Sequence, residues 1–234
     1  MEIKIKCFRI FIIIIILILI NNRSVDAHIP LETDLPGTRE EPVFVEDHEI
    51  SWVSYNKLTE SKDVNYYRFE AEQGEEIYAS MMIPILERLE DFTPDFALIG
   101  PGLRIDYDGI SQRDVEEKLE IRKGEGVIIS GYKEENSEIF REPFTQTSYW
   151  RRQQETITAP ESGQYYLAVF SREDDTGKYV FAIGREEKWG IKDILSMPRI
   201  WWNVRMFTER ELSTYSILAL LAGVIIFLIT RILK

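Results

Sequence analysis

Two histidines, His28 and His48, are the only imidazoles in the chain. Cleavage after Ala27 would make His28 the first residue of the mature chain. Its α-amine and ring could then grip one metal ion, with His48 as a third nitrogen donor, a ligand set that suits copper. The competing reading is a frayed terminus and a surface histidine. Calcium is the other metal the residues suggest. Asp106 and Asp108 flank Tyr107, and Glu173, Asp174 and Asp175 crowd one loop. Calcium takes six to eight oxygens, which acidic loops can gather. Ordinary solvated loops would look the same. Tyr149 and Trp150 stand beside Arg151 and Arg152. Exposed rings with adjacent guanidinium groups stack on sugars or grip partner proteins; the alternative is Trp150 plugging a core.

Other chemistries are poorly served. Serine-type hydrolysis needs a histidine base held by a carboxylate, and both histidines lie near the N-terminus with no G-x-S-x-G sequence. No G-x-x-x-x-G-K-[ST] phosphate loop is present. Cys7 is the only cysteine and lies in a leader-like segment. Neither disulfides nor cysteine catalysis is expected of the mature chain. A carboxylate pair for glycoside cleavage can be drawn almost anywhere among so many acids. Catalysis is not the expectation.

The two ends decide where these residues work. Residues 1–27 read as a secretory signal, with an uncleaved anchor helix over Met1–Ile20 as the alternative: Lys4, Lys6 and Arg9 precede the apolar run Ile10–Ile20, and Val25 and Ala27 suit a cleavage site. Residues 212–233 form an apolar stretch long enough to cross a bilayer as a helix. Arg231 and Lys234 follow its core and favour the cytoplasmic side for the tail. The bulk of the chain should then face outward. Just before the span, residues 189–211 are rich in rings. Trp201, Trp202 and Phe207 suit the headgroup level, and Pro198 is expected to interrupt any helix there. Residues 28–211 carry 22 basic and 38 acidic side chains, a net of −16. Nucleic acid is a poor partner for that surface.

Between the ends the pattern is that of strands. Residues 28–47 form an acidic, proline-containing lead-in. In VNYYRFEA, Tyr67, Phe69 and Ala71 share one face. After EQGEE, Ile77, Ala79 and Met81 do the same. Such period-two alternation around a glycine loop marks a hairpin. DFALIGPGL, VEEKLEI (115–121), GVIISGY, GQYYLAVFS and GKYVFAIGR add further strands, while residues 134–157 read as a long ordered loop. The expectation is an all-β, jelly-roll-like sandwich over residues 48–188.

DVNYYRFEAEQGEEIY and APESGQYYLAVF with GKYVFAIG resemble the β-sandwich domains that follow secreted bacterial peptidases, the pre-peptidase C-terminal type. Asp63, Tyr67, Phe69, Gly74, Gly163, Tyr165, Gly177 and Tyr179 match strand and turn positions of that pattern. HIPLE, FTPDFALIGPGL, EPFTQTSYW and ITAPESGQYYLAVF, in that order, are also similar to an uncharacterised group of membrane-anchored microbial surface proteins, known mainly from archaea. The resemblance implies a secreted, membrane-tethered sandwich and no particular activity. The functional expectation is a non-enzymatic binding or scaffolding module at the cell envelope, its partner a surface protein or glycan. The alternatives are a copper-handling surface protein, and an accessory subunit docking through residues 189–233.

Overall fold

The computed structural model describes residues 28–31, 37–60, 63–134, 137–173, 175–188 and 190–233. The expected signal 1–27, with Cys7, lies outside the described residues, as do Asp174, Trp189 and Lys234.

Alternation in the sequence becomes two six-stranded sheets. One runs β1 (Ile29–Pro30), β3 (Trp52–Leu58), β12 (Gly177–Ile183), β5 (Glu76–Pro84), β10 (Thr147–Thr158), β9 (Glu138–Glu142). The other runs β2 (Val43–Phe44), β4 (Val64–Ala71), β11 (Gly163–Phe170), β6 (Asp95–Pro101), β8 (Glu125–Ser130), β7 (Ile105–Asp106). The long neighbours are antiparallel; only the two-residue edge strands β1, β2 and β7 pair in parallel. Tyr67, Phe69 and Ala71 face Ile77, Ala79, Met81 and Ile83 across one core, with Phe96, Leu98, Leu167, Tyr179 and Phe181 between them. Each such side chain contributes about 1.5–3 kcal/mol on burial, which holds the two sheets face to face without a disulfide. Two close approaches fix the strand ends. A side chain on Gly126 would meet the Leu103 carbonyl oxygen at 1.9 Å. One on Gly184, at φ +74°, would meet that of Ile50 at 2.1 Å.

Both outer faces are also apolar, and helices help to cover them. Val115 and Leu119 of α1 (Gln112–Leu119) seal Ala97, Ile99, Val127, Ile129, Ala168 and Phe170. Here the expected strand at 115–121 is a helix. Val115 and Leu119 are spaced i, i+4, so both fall on one helical face. The helix is started by Ser111, whose hydroxyl oxygen accepts the Asp114 N–H at 3.2 Å. The expected loop at 134–157 is instead the hairpin β9–β10. A bulge between Arg151 and Gln153 breaks its alternation and hides the strand from a period-two reading.

The other outer face carries Val53, Met82, Tyr149, Val180 and Ala182, with Tyr55, Phe140 and Phe207 packed on it. Phe207 ends α2 (Ile191–Phe207), and α3 (Glu211–Leu233) follows. α2 runs through Pro198 unbroken, against expectation. It opens with the Gly190 N–H donating to the Asp193 carboxylate at 2.8 Å. β12 begins beside Phe207 and α2 ends there, so 17 helical residues retrace the length of seven extended ones, roughly 25 Å against 23 Å. α3 is long and apolar enough to cross a membrane, and its apolar window is only 6% buried.

Candidate functional site

A densely bonded polar cluster beyond the two sheets is the corner between α2 and α3. Trp202 and Tyr215 meet edge to face, centroids 5.8 Å apart. Thirteen residues of continuous helix would separate them by about 20 Å, so the chain turns sharply at Thr208–Arg210. Thr208 closes α2 by donating its N–H and its hydroxyl to the Val204 carbonyl, at 2.9 and 2.8 Å. Glu209 then adopts φ +58°, a left-handed conformation that costs a non-glycine residue about 1–2 kcal/mol. Its side chain offsets that cost. The carboxylate accepts Lys178 Nζ at 2.7 Å and pairs with Arg88. The Lys178 ammonium, and after it the Arg88 guanidinium, hold the Glu209 carboxyl below the usual glutamate range. Lys178 also donates to the Phe207 carbonyl at 2.9 Å. Phe207 itself packs edge-on against Tyr55 at 5.5 Å.

Arg205 ties three parts together. It is 3% exposed. Nε donates to Thr214 Oγ1 at 2.8 Å, Nη1 to the Thr145 carbonyl at 2.6 Å, and Nη2 to Ser213 Oγ at 2.5 Å. The guanidinium also lies 4.9 Å from the centre of the Trp201 ring. Helix α2, helix α3 and the β9–β10 turn are thus held by one side chain. Beneath it, Thr145 and Thr147 hydroxyls meet at 2.7 Å and Thr147 donates to the Tyr149 phenol at 2.9 Å. Among the described residues, no carboxylate pairs with Arg205 or with Arg210. Burial, then the nearby Arg210 charge, pulls the Arg205 guanidinium below its ordinary range.

The residues singled out from sequence fall mostly elsewhere. His48 is 4% exposed and stacked on Phe69 at 5.1 Å, with Nε2 3.6 Å from a Glu75 oxygen. His28 contacts the Ser51 hydroxyl. The two rings have no common partner in these contacts. Asp108, but not Asp106, is tied to the loop that carries Glu173 and Asp175, through Arg172. Arg172 pairs with Asp108 at 3.0 Å and with buried Asp95 at 2.5 Å, while Arg104 pairs with Asp106 at 3.0 Å. Among the described residues, no three His, Cys, Asp or Glu side chains gather as a metal site.

The aromatic platform is not an open surface. Tyr149 is 2% exposed and Arg152 is 5% exposed. Trp150 packs on the core edge, Arg151 pairs with Glu138 at 2.6 Å, and Arg152 bonds the Glu90 carbonyl. Of the expected headgroup residues, Trp201 and Trp202 are half-buried at the corner, and Phe207 is spent on the sheet. Arg231 lies near the far end of α3 over Phe227. Arg205, Glu209 and Lys178 carried no pattern in the sequence; the polar break Thr208-Glu209-Arg210 between two apolar runs was the available signal.

No known family matches the chain, and no curated protein sequence matches it. Among solved structures it is similar to PliG of Aeromonas hydrophila, a periplasmic lysozyme inhibitor of g-type lysozyme. That match has 10% identity and a TM-score of 0.34, and covers 68% of this chain and 95% of that one. It is also similar to MopE, a secreted protein of Methylococcus capsulatus in which an oxidised tryptophan facilitates copper binding. That match has 11% identity and a TM-score of 0.22, over 53% of this chain and 70% of that one. Likeness at these scores transfers neither fold nor function.

Proposed function

We propose that the chain is a single-pass surface protein in which α3 anchors a jelly-roll β-sandwich outside the membrane, as a non-enzymatic binding or scaffolding module. The corner carries the reading. A free tether needs no fixed joint, yet here Arg205 bonds Ser213 and Thr214 of α3 and the Thr145 carbonyl of the β9–β10 turn, while Glu209, just before α3, bonds Lys178 of β12 and Arg88. Rigid presentation suits a module that must meet a partner at a set height and angle. The strand order supports the jelly roll: β3, β4, β5 and β6 alternate between the sheets, as do β10, β11 and β12. Of the acids and arginines singled out from sequence, Asp106, Asp108, Arg151 and Arg152 bond other residues of the sandwich.

Alkaline extraction tests the anchoring. The full chain should stay in the membrane pellet, and a chain lacking residues 212–233 should be released. Release of both forms would refute the anchor. The partner class is addressed by crosslinking the tethered protein on intact cells, where a captured surface protein or glycan is expected.

A further inference from the structure

The corner holds an electrostatic imbalance that the fold does not resolve. Buried charges are ordinarily paired. Arg205 is almost fully buried, and all three of its bonds go to neutral oxygens. Next to it stands Arg210, exposed, its N–H fixed on the Arg205 carbonyl at 2.8 Å. Glu209 gives no relief, since its carboxylate already holds Lys178 and Arg88. Four basic side chains, Arg88, Lys178, Arg205 and Arg210, therefore meet three acids here, Glu209, Glu211 and Glu142, and the Glu142 carboxylate is taken up by the Thr145 N–H at 2.6 Å. Trp201 and Trp202 flank it, half-buried. The patch sits where α3 begins, the depth at which a bilayer presents its phosphates.

From this arrangement we infer that Arg210, backed by Arg205, binds the phosphodiester of a lipid headgroup at the outer surface of the membrane. The inference rests on the anchored reading and adds a specific ligand to it. The phosphate supplies the missing anion. It also gives the sandwich a second attachment beside α3, so that the acidic body is held against a surface it would otherwise avoid. A guanidinium suits this task because its planar donors match phosphate oxygens.

The test uses the full chain in micelles of an uncharged, phosphate-free detergent. Dihexanoyl phosphatidylglycerol is titrated, and tryptophan fluorescence reports binding beside Trp201 and Trp202. Saturable binding is expected, weakened about fivefold in Arg210→Gln, the effect of one basic residue at an anionic surface. Arg104→Gln, on an exposed arginine paired to Asp106, should bind as the unaltered chain does. Equal affinity for Arg210→Gln and the unaltered chain overturns the proposal. So does equal binding of dihexanoylglycerol, which lacks the phosphate. Inorganic phosphate binding as tightly as the lipid would assign the site to a soluble anion and end the lipid assignment. The anchored reading fails separately, in the extraction experiment.

Discussion

Replacing Arg205 by methionine keeps the stem and removes the guanidinium. Three hydrogen bonds to a charged donor disappear, each contributing about 1.5–3 kcal/mol. Against that, an ion buried without a carboxylate is no longer desolvated, which returns several kcal/mol. The hydroxyls of Ser213 and Thr214 already donate to the Arg210 carbonyl, at 3.0 and 2.8 Å, and keep those bonds. The Thr145 carbonyl is left without its donor, a loss of about 1–3 kcal/mol. We therefore expect the corner to be weakened by about 1–3 kcal/mol, a 5- to 150-fold shift in its opening equilibrium. Amide hydrogen exchange reads this directly. The N–H groups of Thr208, Arg210 and Thr214, bonded to Val204, Arg205 and Arg210 carbonyls, should exchange faster by that factor. Amides in β11 and β12 should not change. Unchanged exchange at the corner would refute the claim that Arg205 holds it. Uniform acceleration through the strands would show that Arg205 supports the whole fold rather than the joint.

Other consequences can be measured on the same chain. Gly126→Ala drives a methyl group into the Leu103 carbonyl and should lower stability by about 3 kcal/mol, within the range for steric insertion into packed structure, read as a fall in the denaturation midpoint. Arg172→Ala should lower stability by about 2–4 kcal/mol, because Asp95 keeps a buried charge with its partner gone; most of that loss should be absent in the Arg172→Ala, Asp95→Asn double variant. Glu209 has a depressed carboxyl in the folded chain, so its contribution is full above the ordinary glutamate range and is lost as pH falls through the lower folded value. Protection factors at Arg210 and Thr214, exchange rates divided into the intrinsic rate at each pH, should fall on acidification in the unaltered chain, and that fall should be absent in Glu209→Gln. The pair is part-exposed and screened, which limits the effect to about 1 kcal/mol or less.

Strands β4, β5, β11 and β12 were legible because apolar residues alternate onto the central core, but the expected hairpin was not: β4 pairs with β11 and β5 with β10 and β12, so the loop at Gly74 crosses between the two sheets. Tyr67, Phe69 and Ala71 announce their side by spacing alone. The short helix α1 was misread because Val115, Leu119 and Ile121 satisfy a strand template as well as a helical one; the serine at 111 and aspartate at 114 carried the deciding signal. In β10 a bulge changes the phase midway, so no single period describes Thr147–Thr158. Pro198 misled because a proline removes only one backbone donor, and a helix with other anchors tolerates that loss. The candidate site was the least legible part. Some of the acids and arginines that looked chemical by composition are engaged by residues far away in sequence, such as Asp108 by Arg172 and Arg152 by the Glu90 carbonyl. The corner depends on Lys178, Thr145 and Arg88, which come from three separate stretches of sequence. Local spacing does not encode such meetings.

Exposure of the β-sheet body at the cell exterior is the claim on which the functional reading stands. Intact cells expressing the chain with an epitope appended after residue 234 should be treated with a protease that cannot cross the membrane. The account predicts loss of the sheet-forming residues while the epitope survives until the cells are opened. Removal of the epitope with the sheets left intact would contradict it.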